Sequence, residues 1–283
     1  MRVLRARHLG MCFGVRDAIA LAVRESARRP LTVLGELVHN DTVLDDLRTR
    51  GIRFCGDADD VSSPRVMITA HGASDRRLAA LRGRGLDVLD ATCFLVRTAH
   101  CAVTTMAREG LHPVIVGRRD HVEVRGLTED LDEFDVVLND EDVLHLSPRR
   151  RFGVVAQTTQ PTARVQRLAS LMRQRFPDAE VRLADTVCMP TKQRQQAAVD
   201  LARRSDVVIV IGGARSNNTR ELTETCRAHC PRVFQVQTAA DVRQEWLAGA
   251  GVVGLTAGTS TPDPVIDQVE ARLRELSGGQ LAA

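Results

Sequence analysis

The chain has 283 residues, 43% hydrophobic and 27% charged, with a formal net charge of +3. That mix supplies a globular core and excludes a disordered or collagen-like polymer. The small net charge and 3% aromatic content, with no tyrosine and only Trp246, provide neither a basic surface nor a base-stacking platform, so no nucleic-acid partner is expected. The longest apolar run, around Val207–Ile211, falls far short of the roughly 20 residues a membrane span needs. The opening MRVLRARHLG lacks the apolar core of a secretory signal, so a cytoplasmic protein without membrane contact is expected.

In chain order, the patterning predicts a helix over Val15–Ala27, strands over Leu31–Leu34 and Val66–Thr69, and a helix over Val96–Arg108. Strands at Val114–Val116 and Gly153–Ala156 follow, then helices at Thr162–Arg175 and Arg194–Arg204. Strands at Val207–Ile211, Val233–Val236 and Val252–Leu255 precede a last helix at Pro264–Leu276 and a frayed GGQLAA tail. Short apolar strands alternating with helices imply an α/β fold of mostly parallel sheets covered on both faces.

Three cysteines recur in one context. Cys12, Cys93 and Cys188 each precede a helical pattern that leads to an apolar strand ending in glycine. The glycines are Gly35, Gly117 and Gly212, giving spans of 23, 24 and 24 residues from cysteine to glycine. Four residues past each glycine stands a polar side chain, His39, His121 or Ser216. The pattern predicts three similar small α/β units, 1–93, 94–187 and 188–283, each placing one cysteine at a helix N-terminus. A second strand in each unit ends in TAHGAS, AQTTQ or LTAGTSTPD, supplying His71, Thr158 and Ser260. Ligands of open α/β sheets bind beyond the carboxyl ends of strands. If the units face one another, the strand ends and cysteines converge on one centre.

Three thiolates at helix N-termini, where unpaired N–H groups favour negative charge, can hold a metal centre. An iron–sulfur cluster with one iron lacking a protein ligand and a three-cysteine zinc site closed by a histidine both remain open, although zinc motifs usually carry C-x-x-C pairs. His39, His71, His121, Ser216, Asn218 and Ser260 supply donors for an anion, helped by the backbone of glycine-rich strand ends. Glu123 is the one carboxylate of the set and can relay protons if burial brings its pKa near neutrality. Together these groups favour reduction of a small phosphorylated molecule. Cys226 and Cys230 read as core or helix-end residues, Cys101 as buried in its helix, and Arg149–Arg151 as a solvated loop.

These residues resemble the 4-hydroxy-3-methylbut-2-enyl diphosphate reductases of the non-mevalonate isoprenoid pathway. The resemblance runs from GMCFGV (Gly10–Val15) through ELVHN, TAHGAS, DATC, HVEV, QTT, the Cys188 segment and RSNNTREL to TAGTSTPD (Thr256–Asp263). It implies a pseudo-threefold trefoil around a central [4Fe–4S] cluster held by Cys12, Cys93 and Cys188, with the fourth iron open. It implies an allylic diphosphate substrate bound by His39, His71, His121, Ser216, Asn217, Asn218 and Ser260. Glu123, Thr158 and His121 would be the catalytic residues, with Glu123 the proton source and Thr158 positioning a hydroxyl or a water. Electrons would come from a ferredoxin or flavodoxin.

The chain departs from the family pattern at Met11, where phenylalanine is usual, at Phe94 and Val122, where proline is usual, and at Asn217, where a small hydroxyl residue is common. It also ends soon after its last helix, where many relatives continue. A divergent copy acting on another allylic diphosphate and a non-catalytic iron–sulfur sensor or binding protein are the competing expectations.

Overall fold

The computed structural model describes residues 1–278, so the expected frayed tail lies outside the described residues apart from Gly278. The chain begins with β1 (Arg2–Arg5), α1 (Phe13–Ser26), β2 (Leu31–Leu34), α2 (Asp41–Thr49), β3 (Arg53–Cys55), β4 (Arg65–Ile68), α3 (Asp75–Gly83) and β5 (Asp87–Asp90). It continues through α4 (Phe94–Arg108), β6 (His112–Val116), α5 (Val122–Thr128), β7 (Asp135–Val137), α6 (Asp140–Leu144), β8 (Arg151–Ala156), α7 (Thr162–Arg175) and β9 (Glu180–Leu183). The last third holds α8 (Met189–Ala202), β10 (Val207–Ile211), α9 (Asn217–Arg227), β11 (Val233–Val236), β12 (Val252–Ala257) and α10 (Asp263–Gly278). No described helix is long and apolar enough to cross a membrane.

The strands form three four-stranded parallel sheets of one topology, β3-β2-β4-β5, β7-β6-β8-β9 and β11-β10-β12-β1. The fold is thus α/β with three similar units. The last sheet is completed from the far end of the chain: β1 pairs with β12, Arg2 opposite Val252 and Arg5 opposite Leu255. The chain divides into two compact bodies. One comprises Asp17–Leu37 and Leu47–Cys188 and carries the first two sheets; the other comprises Met1–Arg16, Val38–Asp46 and the chain from Met189 onward and carries the third.

Burial on both faces explains the unbroken apolar strands. In the second sheet Val114, Val116, Val154 and Ala156 pack with Val165, Leu168 and Met172 of α7, while Ile115 and Val155 pack with Ala99, Val103 and Met106 of α4. In the third, Val207, Ile209, Ile211, Val253 and Leu255 meet Ile266, Val269 and Leu273 of α10, while Val208 and Val210 meet Ala198 and Leu201 of α8. Each such valine, isoleucine, leucine or methionine contributes about 1.5–3 kcal/mol by burial.

Several boundaries differ from the sequence reading. Helix α8 starts at Met189, five positions before Arg194, because Pro190 sits in the first turn, where its missing N–H costs nothing. The arginine run is not all loop, since Arg151 opens β8 and pairs with Glu180 at 2.8 Å. Cys101 is exposed, not buried, whereas its neighbours Ala99 and Val103 carry the packing of α4. Cys226 and Cys230 are buried in the core, and Cys230 Sγ lies 3.5 Å from the Ser205 carbonyl.

Candidate active site

All three repeats fix their cysteine by the same backbone device. The N–H of Cys12, Cys93 and Cys188 donates to the carbonyl of Thr259 (3.1 Å), Ala70 (3.1 Å) and Thr158 (3.0 Å) respectively. Each acceptor lies two residues past the end of a central strand, β12, β4 or β8. The residue two positions before the cysteine bonds to the last residue of that same strand. Gly10 and Ala91 do so by N–H to Ala257 and Ile68, each at 3.1 Å; Thr186 does so by its hydroxyl to the Ala156 carbonyl, at 2.7 Å. Each cysteine is half-buried and immediately precedes a helix, α1, α4 or α8. Cys93 occupies the capping position of α4, yet its side chain makes no capping bond. Serine or aspartate there would typically add about 1 kcal/mol, so helix stability does not account for a cysteine at this place.

The body that carries the first two sheets assembles His71, His121, Glu123 and Thr158 with Cys93 and Cys188. Glu123 is 1% exposed, in the first turn of α5. Its Oε1 accepts the Thr158 N–H at 2.6 Å and its Oε2 accepts the Thr158 hydroxyl at 3.1 Å. Burial drives the carboxyl from its ordinary 4.5 up to about 7, against the opposing pull of those two bonds. His121 caps α5, its Nδ1 accepting the Glu123 N–H at 3.1 Å. A neutral ring must then carry its proton on Nε2. His71 stands edge-on to His121, ring centroids 5.6 Å apart, with its Nδ1 3.2 Å from the Thr69 hydroxyl.

The other body assembles Cys12, His39, Ser216, Asn217, Asn218 and Ser260. Ser216 caps α9, its hydroxyl oxygen accepting the Thr219 N–H at 3.3 Å, and Asn217 and Asn218 form the buried first turn. Asn217 Oδ1 accepts from Arg220 at 2.5 Å. The loop carrying His39 passes close to Gly213, where a Cβ would overlap the His39 carbonyl oxygen. Asn40 then ties this loop to the Ser260 carbonyl at 3.0 Å. Asn218 Nδ2, Ser260 Oγ and Thr219 Oγ1 are buried atoms without a hydrogen-bond partner among the described residues. Unpartnered donors at a helix N-terminus suit an anionic ligand. Asn40 and Thr219 were not singled out from sequence, though both sit inside the ELVHN and RSNNTREL segments and their neighbours were.

Phe94 and Val122 stand at the first position of α4 and α5, where proline is tolerated without being required. Both helices form here without it. Phe94 is left 61% exposed.

Matched across the whole architecture, the sequence profile of the LytB protein family covers residues 3–274. The chain belongs to the LytB family. It is 37% identical over 279 residues to the 4-hydroxy-3-methylbut-2-enyl diphosphate reductase of Pelobacter propionicus, spanning 98% of this chain and 99% of that protein. The enzyme of the same name from Aquifex aeolicus is 35% identical over 288 residues, spanning 99% of each. The solved E-1-hydroxy-2-methyl-but-2-enyl-4-diphosphate reductase of Plasmodium falciparum superposes with a TM-score of 0.89 at 27% identity, over 95% of this chain and 87% of that one. A second solved structure, the terminal enzyme of the non-mevalonate pathway, gives a TM-score of 0.69 at 35% identity over 97% and 100%.

Membership of the LytB family implies an iron–sulfur cluster, and each body carries cysteines of the kind that suits one. Three half-buried cysteines, none in a disulfide, each stand at a backbone-fixed position ahead of a helix N-terminus. Soft thiolate sulfur is the ligand that iron–sulfur clusters require, and helix N-termini compensate their negative charge.

Proposed function

We propose that this chain is a 4-hydroxy-3-methylbut-2-enyl diphosphate reductase, the activity its relatives' names carry. In this reading the enzyme is cytoplasmic. Its repeats are 1–93, 94–187 and 188–283, and one [4Fe–4S] cluster is held by Cys12, Cys93 and Cys188. The bound cluster supplies single electrons, received from a ferredoxin or flavodoxin, and an iron without a protein ligand. Overall, two electrons and two protons break the allylic carbon–oxygen bond and release water, leaving isopentenyl and dimethylallyl diphosphates.

The chain's own groups bind the substrate and manage its protons. His39, His71, His121, Ser216, Asn217, Asn218 and Ser260 offer N–H and O–H donors to the diphosphate oxygens, while the buried first turn of α9 adds its backbone. Glu123, with its pKa near 7, keeps a proton available at neutral pH. Thr158, hydrogen-bonded to that carboxyl, orients the departing hydroxyl or a water.

The observation that carries the reading is the triple role of Thr158. It bonds Glu123 through N–H and hydroxyl, and its carbonyl receives the N–H of Cys188, so acid and ligand share one anchor. Protein prepared without oxygen, reconstituted with iron and sulfide, and assayed with the diphosphate and reduced methyl viologen should turn over. A full iron and sulfide count without turnover would favour another allylic diphosphate or a binding role. One zinc and no sulfide would end the cluster assignment.

A further inference from the structure

The threefold repeat is broken by one buried charge. Six residues past each cysteine, the helix turns a side chain inward: Ala18 after Cys12, Ala99 after Cys93, and Arg194 after Cys188. They are 2%, 0% and 8% exposed. Alanine satisfies this packing position twice, so filling the core does not explain a guanidinium at the third. Burying a guanidinium is costly unless its N–H groups are bonded.

Arg194 spends those groups on two carbonyls. Nε and Nη2 donate as a fork to Gly10 O at 3.0 and 2.7 Å, and Nη1 donates to Pro190 O at 3.0 Å. Gly10 lies two residues before Cys12, and Pro190 two residues after Cys188. The direction of the Gly10 carbonyl is itself fixed. Its φ of +74° is a left-handed conformation, and a Cβ there would come within 2.8 Å of Ile266. The loop that presents Cys12 is thereby held against the first turn of α8 by a planar fork that neither lysine nor alanine reproduces.

We infer that Arg194 is a positioning residue for the metal centre, which holds the Cys12 loop in ligating geometry and stabilises the negative charge of the thiolate-bound cluster. The inference rests on the cluster reading given above. Groups that orient metal ligands are typically worth roughly 10–100-fold in metal affinity.

The test uses the full chain, reconstituted without oxygen, as wild type, Arg194→Lys and Arg194→Ala. Iron release to a ferrous chelator and the cluster's reduction potential are both measured. Both variants should release iron at least about tenfold faster than wild type. Arg194→Ala should also lower the potential, whereas Arg194→Lys, which keeps the charge, should lie nearer wild type. Alanine at the two equivalent positions indicates that the fold accepts it, and thermal unfolding of the apoprotein checks this. Should Arg194→Ala fail to fold, Arg194→Lys alone decides by its release rate. Loaded variants with wild-type release and potential would overturn the inference while leaving the cluster reading intact. A wild-type protein that takes up no iron and sulfide would overturn both.

Discussion

The peptide N–H of Thr158 lies 2.6 Å from one carboxyl oxygen of Glu123, and its hydroxyl lies 3.1 Å from the other. Two donors from one residue thus hold a carboxyl whose burial pushes its pKa up to about 7. Both bonds favour the charged form, so Thr158 keeps the acid from drifting further above neutrality. The proton on Glu123 is present below pH 7 and lost above it.

Replacing Glu123 by glutamine keeps an acceptor for the Thr158 N–H but removes the exchangeable proton. Turnover should fall by roughly 10²–10⁴-fold, the usual contribution of one positioned acid. Iron and sulfide content should stay at the wild-type level, because no cysteine contact is altered. Steady-state kinetics beside an iron count separates the two effects, and undiminished turnover would remove Glu123 from the mechanism.

Thr158→Val deletes the hydroxyl and spares the backbone N–H. Losing one bond to the charged form moves the Glu123 pKa upward, so the alkaline limb of the kcat profile should shift to higher pH. Thr158→Ser should restore the wild-type profile. A limb that does not move in the valine variant would assign it to another group.

The same carboxyl links stability to pH. The unfolded chain releases this proton near 4.5, while the folded chain keeps it until about 7. Between those values the native state binds more protons, so stability falls as pH rises through this window. The full penalty above pH 7 is on the order of 3 kcal/mol. Glu123→Gln pays no such penalty. Its apoprotein should melt higher than wild type at pH 8, with the gap closing toward pH 5. A pH-independent gap would show that the carboxyl ionises normally.

The cysteines divide into two classes by their surroundings. Cys226 is fully buried, and burial, with a smaller effect of Cys230, pushes its thiol up to about 12. Without a metal it stays a protonated thiol at neutral pH. Serine at Cys12, Cys93 or Cys188 should each strip most of the iron, measured after anaerobic reconstitution. Cys226→Ser should keep the iron but lower the melting temperature, because a hydroxyl enters the core. Equal iron loss at Cys226 would refute the ligand assignment.

How much of this was legible depends on where the information resides. Val207–Ile211 was readable because both its faces are buried, and the cysteine–glycine spacing was readable because it recurs. The outer strands Asp87–Asp90 and Glu180–Leu183 carry charges on short edges, so no apolar pattern marks them. The union of Arg2–Arg5 with Val252–Ala257 spans the whole chain and leaves no local trace. Glu123 was a candidate from sequence, but its bonds to Thr158, 35 residues away, belong to the tertiary fold alone. Arg194 was invisible for another reason. Among 39 basic residues, all but one of them arginine, nothing in the sequence marks the one that is buried.

Ser260 Oγ and Asn218 Nδ2 are buried without partners among the described residues, which makes each a net cost to the folded protein. A buried unsatisfied polar group costs about 1–3 kcal/mol. If these atoms exist for the diphosphate, removing one should separate stability from binding. Ser260→Ala should leave the melting temperature unchanged or raised, since an unpaired hydroxyl has gone and the Ser260 carbonyl still receives Asn40. Substrate KM should rise at least about tenfold, because a hydrogen bond to a charged group is worth about 1.5–3 kcal/mol. Thermal unfolding of the apoprotein and steady-state kinetics of the reconstituted enzyme give the two numbers. A lowered melting temperature with an unchanged KM would make Ser260 a structural residue and move the anion elsewhere.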